Sequence, residues 1–189
     1  MTKRTIVSII HYTMDKSFTG PYWFFISLSF VWCAGIFAAP LLQNAGMHAA
    51  AGVLYEAFGR VCHQRAGRSF FCAGQQLGVC IRCTSVYLSF FASAVLFPFL
   101  ARRKWRRMER PPASILEMIP SQTIALICFL PMLFDVGLSI AGISVSTTIT
   151  RVVSGTMLGS ILPWYVIPVF LDAWVHRRFE TIKKKEKTQ

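Results

Sequence analysis

Charge is scarce in this chain. Of its 189 residues only 15% are Asp, Glu, Lys or Arg, and only 8 are acidic. A soluble domain carries about 25% charged residues. From Ser17 to Tyr55 there is no Asp, Glu, Lys or Arg at all. That shortage excludes an ordinary soluble enzyme. A disordered chain is excluded by the opposite excess, because 54% of the residues are hydrophobic and such a composition collapses rather than stays solvated. There is no internal repeat, and low complexity is confined to the Lys-rich tail. No cleavable leader is expected either. Ala38-Ala39-Pro40 follows the first apolar run, but that run is long enough to span a membrane, so an uncleaved first helix is expected.

The long apolar runs define the fold class. A hydrocarbon core of about 30 Å needs about 20 apolar residues in a helix. Four runs qualify, at about 22–42, 79–100, 118–141 and 152–173. The expected architecture is therefore an all-α integral membrane bundle of four transmembrane helices. Residues 1–175 form a single polytopic domain and residues 176–189 a basic tail. The segment Met47 to Arg60 is apolar but short, and reads as an interfacial or re-entrant helix before the cysteine motif. Pro120, Pro131, Pro163 and Pro168 fall in or near the spans and predict kinks, which neighbouring helices can satisfy.

The net charge of +12 is not spread evenly. Lys3, Arg4 and Lys16 precede the first span. Arg102, Arg103, Lys104, Arg106, Arg107 and Arg110 follow the second. Arg177, Arg178, Lys183, Lys184, Lys185 and Lys187 follow the fourth. With four spans these fifteen of the twenty basic residues fall on one side. The positive-inside rule makes that side cytoplasmic, so both termini are expected inside a cell (inner) membrane. The same blocks would attract anionic lipid. They are not interleaved with aromatics on a soluble fold, so no nucleic-acid partner is expected.

Six cysteines are present. Cys33 and Cys128 lie alone in apolar runs and read as small hydrophobes. The other four sit in the expected outer loop and at the start of the second span: Cys62-His63, Cys72, and Cys80-x-x-Cys83. A Cys-x-x-C pair can bind one metal ion or form a reversible disulfide. Placed in the first turn of the second helix, Cys80 and Cys83 would share a face and have their thiol pKa lowered by the helix N-terminus, with Arg82 adding charge. Cys62 and His63 can complete a Cys₃ or Cys₃His set, a donor mix that suits zinc. Cys72 follows Phe70-Phe71 and reads as a packing residue. An oxidising outer compartment keeps thiol–disulfide exchange open as the other use.

Asp135 stands inside the third span, where an unpaired carboxylate is costly and a functional role is the default hypothesis. Its natural partner is Arg151, at the start of the fourth span and at similar depth. Arg82 lies at that level too. Gly155 and Gly159 form a G-x-x-x-G on the fourth span, expected to pack closely within the bundle or in a homodimer. Glu56 can face Arg60 at i, i+4, while His11 and His48 show no ligand spacing.

The run CHQR…RSFF, followed by V-C-x-R-C-T, resembles a family of small bacterial and archaeal membrane proteins of unknown function. The matching residues are Cys62, His63, Gln64, Arg65, Arg68, Ser69, Cys80, Arg82, Cys83 and Tyr87, and further on Asp135, Arg151, Gly155 and Gly159. Ser85, Val136 and Cys72 depart from the family pattern. The resemblance implies a helical membrane protein and brings no activity with it.

These observations give one first reading and two others. The first is a membrane protein whose metal site, Cys62, His63, Cys80 and Cys83, lies at the outer face, with Asp135 and Arg151 beneath and Gln64, Arg65 and Arg82 in support. It serves structure or metal handling, with zinc as the expected metal. The second is a membrane thiol–disulfide oxidoreductase using Cys80 and Cys83. The third is an accessory subunit held by a membrane protein partner through Phe-rich surfaces.

Overall fold

A computed structural model describes residues 19–107, 115–143 and 146–186. His11, the basic residues Lys3, Arg4 and Lys16, and Arg110 and Lys187 lie outside the described residues.

The chain runs α1 (Thr19–Asn44), α2 (His48–Gly59), β1 (Ser69–Cys72), β2 (Gln75–Cys80), α3 (Ile81–Arg107), α4 (Gln122–Ile140), α5 (Thr148–Ile161) and α6 (Pro163–Glu186). Short 3₁₀ turns at Ala66–Arg68 and Ile115–Met118 precede β1 and α4. Four helical stretches are long and apolar enough to cross a bilayer: Gly20–Asn44, Ile81–Lys104, Gln122–Ile140 and Thr148–Trp174. The last combines α5 and α6. They are broken at Leu162 because Pro163 has no N–H to continue the ladder and instead opens the next helix. The protein is thus an all-α membrane bundle with one small β-hairpin.

That hairpin corrects the expected start of the second span. Residues 79 and 80 belong to β2, and the helix begins at Ile81. The third and fourth helical stretches likewise begin at Gln122 and Thr148. The hairpin turns on Ala73 and Gly74, both with positive φ, 51° and 77°. Two such residues make the twisted two-residue turn that antiparallel strands favour. Antiparallel pairing then sets Ser69 opposite Cys80.

Two apolar clusters hold the bundle. Ile26, Ala94, Phe97, Ile167 and Leu171 join α1, α3 and α6. Ile36, Phe58, Cys62, Leu77 and Val79 join α1, α2 and the hairpin. The short apolar segment is therefore a helix, α2, packed on α1 and β2. Phe58 fixes it: its ring meets Trp32 edge-on at 5.1 Å, and it fills the space left by Gly35 and Gly78.

Elsewhere the helices turn apolar surface outward. No residue of α4 is buried, and Phe129, Leu133, Phe134 and Ile140 are exposed along it. Such a surface is costly in water and suits acyl chains.

α5 packs tightly on α3, with the G-x-x-x-G stripe as the contact. A Cβ at Gly155 would come 2.7 Å from the Arg82 carbonyl oxygen, and one at Gly159 would come 2.3 Å from that of Val86. The two glycines thus serve packing within the chain.

Candidate metal centre

Three cysteines from three parts of the chain converge at the cluster of Ile36, Phe58, Leu77 and Val79. Cys62 lies just past the end of α2, its N–H donating to the Phe58 carbonyl at 3.0 Å. Cys80 ends β2, and Cys83 lies in the first turn of α3. The Sγ atoms of Cys62, Cys80 and Cys83 all lie within 4.8 Å of one another. Cys62 is buried, and the other two are half-buried. All three are free thiols.

Cys80 does not sit inside the helix, as its spacing from Cys83 had suggested. It sits immediately ahead of it, where a side chain can accept the unpaired N–H groups of the first turn. Its pKa is pulled down to about 5. The largest cause is a hydrogen bond from the Cys83 side chain; the backbone N–H groups of Cys83 and Arg82 and the Cys62 side chain add to it, while burial opposes. The Cys80 N–H in turn donates to Cys62 Sγ at 3.2 Å. A lowered pKa favours the thiolate at Cys80, the form that binds metal and attacks disulfides.

His63 is not in the thiol cluster. Cys62 points into the core, and the next side chain along is exposed. A Cys₃ set, not Cys₃His, is what the fold brings together. Cys72 also stays outside the triad and packs against the cluster of Ile36, Phe58, Leu77 and Val79. Cys33 is buried in the bundle, its thiol donating to the Tyr87 carbonyl at 3.5 Å, and Cys128 lies apart on α4.

The loop that carries Cys62 is held by Gln64, which takes a left-handed φ of 47°. Its Nε2 donates to the carbonyls of Tyr55 and Gly78, each at 2.8 Å. Gln76 Nε2 donates back to the Gln64 carbonyl at 2.6 Å. These bonds tie α2 to β2 and so tie Cys62 to Cys80. Tyr55, whose hydroxyl donates to the Gln76 carbonyl, belongs to the same clamp. Nothing in its spacing marks it in the sequence. Arg65 is exposed, its carbonyl accepting from Ser69 Oγ at 3.0 Å.

The intramembrane charges are arranged differently from the expected Asp135–Arg151 pair. Asp135 pairs with Arg82, through Arg82 Nη2. Arg151 Nε donates instead to Ser146 Oγ at 3.1 Å, and Arg82 Nη2 reaches the same oxygen at 3.3 Å. All three charges belong to one cluster, but the ion pair joins α3 to α4. The reason is helical position: Gly155 brings α5 against the backbone of Arg82, which leaves the Arg82 side chain facing α4.

This arrangement uses Cys62 and Gln64 of the Cys-His-Gln motif and Cys80, Arg82 and Cys83 of Cys-x-Arg-Cys, and leaves His63 exposed outside it. The segment from Cys62 to Tyr165, residues 62–165, matches the model of a family described as "Predicted membrane protein (DUF2085)". The chain belongs to that family. The DUF2085 segment opens on the first thiol of the triad and encloses the other two, Asp135, Arg151 and both packing glycines. An uncharacterised protein of Methanocaldococcus jannaschii is 26% identical over 165 residues, covering 84% of this chain and 98% of its own length. No solved structure matches the chain.

Proposed function

We propose that Cys62, Cys80 and Cys83 form a metal centre at the outer membrane face and that this DUF2085 protein takes part in metal handling. The observation that carries this reading is the convergence of three Sγ atoms within 4.8 Å of one another, with the pKa of Cys80 pulled down beside its thiol neighbours. Soft thiolate donors select zinc or copper(I), and zinc is the expected occupant. Three protein donors leave one tetrahedral position open, as in sites that exchange ligands, whereas structural zinc sites close all four. The exposed His63 supports an open site. Replacing Cys62, Cys80 or Cys83 with Ser is expected to abolish metal retention in the purified protein. Cys72→Ser and His63→Ala are expected to keep about one metal per chain, measured by elemental analysis. A Cys80→Ser protein with stoichiometric metal contradicts the reading.

The second reading, a thiol–disulfide oxidoreductase, draws on the same thiolate: Cys80 could attack a disulfide and Cys83 or Cys62 resolve it. It requires a metal-free protein with a dithiol that titrates reversibly.

Sidedness follows from the basic blocks. Both termini and the loop after α3 face the cytoplasm, where the blocks meet anionic headgroups, and the triad faces outward. Reporters fused after Arg110 and after Gln189 are expected to read cytoplasmic, and one inserted at Ala66 external. A cytoplasmic signal at Ala66 reverses the topology. Any homodimer uses a face other than the Gly155–Gly159 stripe, which α3 occupies.

A further inference from the structure

An open cavity of about 270 Å³ lies beside the hairpin, walled by Gln43, Tyr55, Gln64, Gln75 and Gln76. Gln43 stands near the end of α1, Tyr55 on α2, Gln64 in the loop after α2, and Gln75 and Gln76 open β2. All five are half-buried, and none carries a charge. A wall made almost wholly of amides is unusual, because most ligand pockets are apolar with a small number of polar groups.

The fold uses only part of the bonding capacity of these amides. Gln64 Nε2 donates to the carbonyls of Tyr55 and Gly78. Gln76 Nε2 donates to the Gln64 carbonyl and to Ser69 Oγ, the latter at 3.1 Å. These bonds occupy the N–H groups of both side chains and hold them in place. The amide oxygens of Gln64 and Gln76 accept nothing among the described residues, and the side chains of Gln43 and Gln75 make no hydrogen bond there. None of these atoms is sealed in: among the described residues the buried side-chain atom without a partner is Arg82 Nε. The cavity therefore offers acceptors on Gln64 and Gln76, and both donors and acceptors on Gln43 and Gln75.

That inventory selects a class of ligand. An ion entering the cavity loses hydration and meets no countercharge. A peptide strand adding to β2 needs the alternate carbonyls of its free edge. Those of Gln76 and Gly78 are already taken, by the Tyr55 hydroxyl and by Gln64 Nε2. A sugar hydroxyl both donates and accepts, so a ring bearing several of them suits a wall of amides. The aromatic ring of Tyr55 gives the C–H surface of a sugar an apolar neighbour. The volume is just below the ~300–1,000 Å³ of pockets for drug-sized ligands, which leaves room for a single sugar ring.

We propose that this cavity binds an uncharged saccharide through one hexose unit, at the end of the protein that carries the thiol triad. Gln64 belongs to both places, but the saccharide site does not depend on a metal at the triad.

The test uses the full chain in a detergent without a sugar headgroup. Saturation-transfer NMR reads binding of glucose and of N-acetylglucosamine, with sodium glucuronate as the charged reference and acetyl-Gly-Gly-amide as the peptide reference. The key variants are Gln43→Ala and Gln75→Ala, because neither side chain bonds to the fold, whereas Gln64 and Gln76 hold the clamp. Saturable binding of either neutral sugar, weakened about fivefold or more by at least one of these variants, supports the site, since that factor is the loss of one ordinary hydrogen bond. No saturable sugar binding, binding that both variants weaken by less than that, or glucuronate or the peptide binding as tightly as the sugars, overturns the proposal.

Discussion

Asp135→Asn is expected to destabilise the detergent-solubilised protein by about 3–5 kcal/mol, because it leaves Arg82 uncompensated in a low-dielectric setting. The pair is well withdrawn, with side-chain exposures of 17% for Arg82 and 8% for Asp135. Arg82→Gln should cost a similar amount. Removing both should cost less than the sum, since neither charge is then left alone. Chemical unfolding of the two single variants and the double variant measures that coupling. A parallel cycle pairing Asp135→Asn with Arg151→Gln should show a smaller one, because Arg151 reaches the cluster through Ser146. Additive costs for Arg82 and Asp135, or a larger coupling to Arg151, would show that the ion pair is misassigned.

Gly159→Ala should be damaging for a different reason. The added Cβ would stand 2.1 Å from Ser89 Oγ and 2.3 Å from the Val86 carbonyl oxygen. The serine can rotate away, but the carbonyl is fixed in α3, so the two helices must separate. Overpacking of this kind costs about 1–3 kcal/mol, and the rigid backbone contact places it at the upper end. Gly52→Ala is the control. Gly52 lies in α2 with nothing within 4 Å of the new Cβ, so the change should gain about 0.5–1 kcal/mol from helix propensity. The two variants should therefore move the unfolding midpoint in opposite directions.

The spans were legible because membrane helices need long uninterrupted apolar runs, and this chain separates its runs with the polar cysteine loop, a basic block and a Ser/Thr-rich turn. The hairpin was not read from the sequence. Its strands are four and six residues long, and Phe70, Phe71 and Val79 blend with the apolar run that follows. The signal was nonetheless there: Ala73-Gly74 between two short runs fits a two-residue turn. The thiols were legible as a group because sulfur at close spacing is uncommon. Which of them meet was not, since that depends on Gln64 and Tyr55 tying α2 to β2. His63 looked like a ligand by adjacency, yet neighbouring side chains need not share a direction. The charge partner of Asp135 was beyond the sequence, because Arg82 and Arg151 stand at similar depth and only the Gly155 contact decides which faces α4.

X-ray absorption at the metal edge of the purified, metal-loaded protein tests the central claim most directly, because it counts the sulfur atoms around the ion. With zinc bound, three sulfur neighbours are expected at about 2.3 Å, with one lighter atom at about 2.0–2.1 Å filling the open position. A first shell of nitrogen and oxygen alone, or a protein that retains no metal while its thiols cycle reversibly to a disulfide, would contradict the Cys62–Cys80–Cys83 centre.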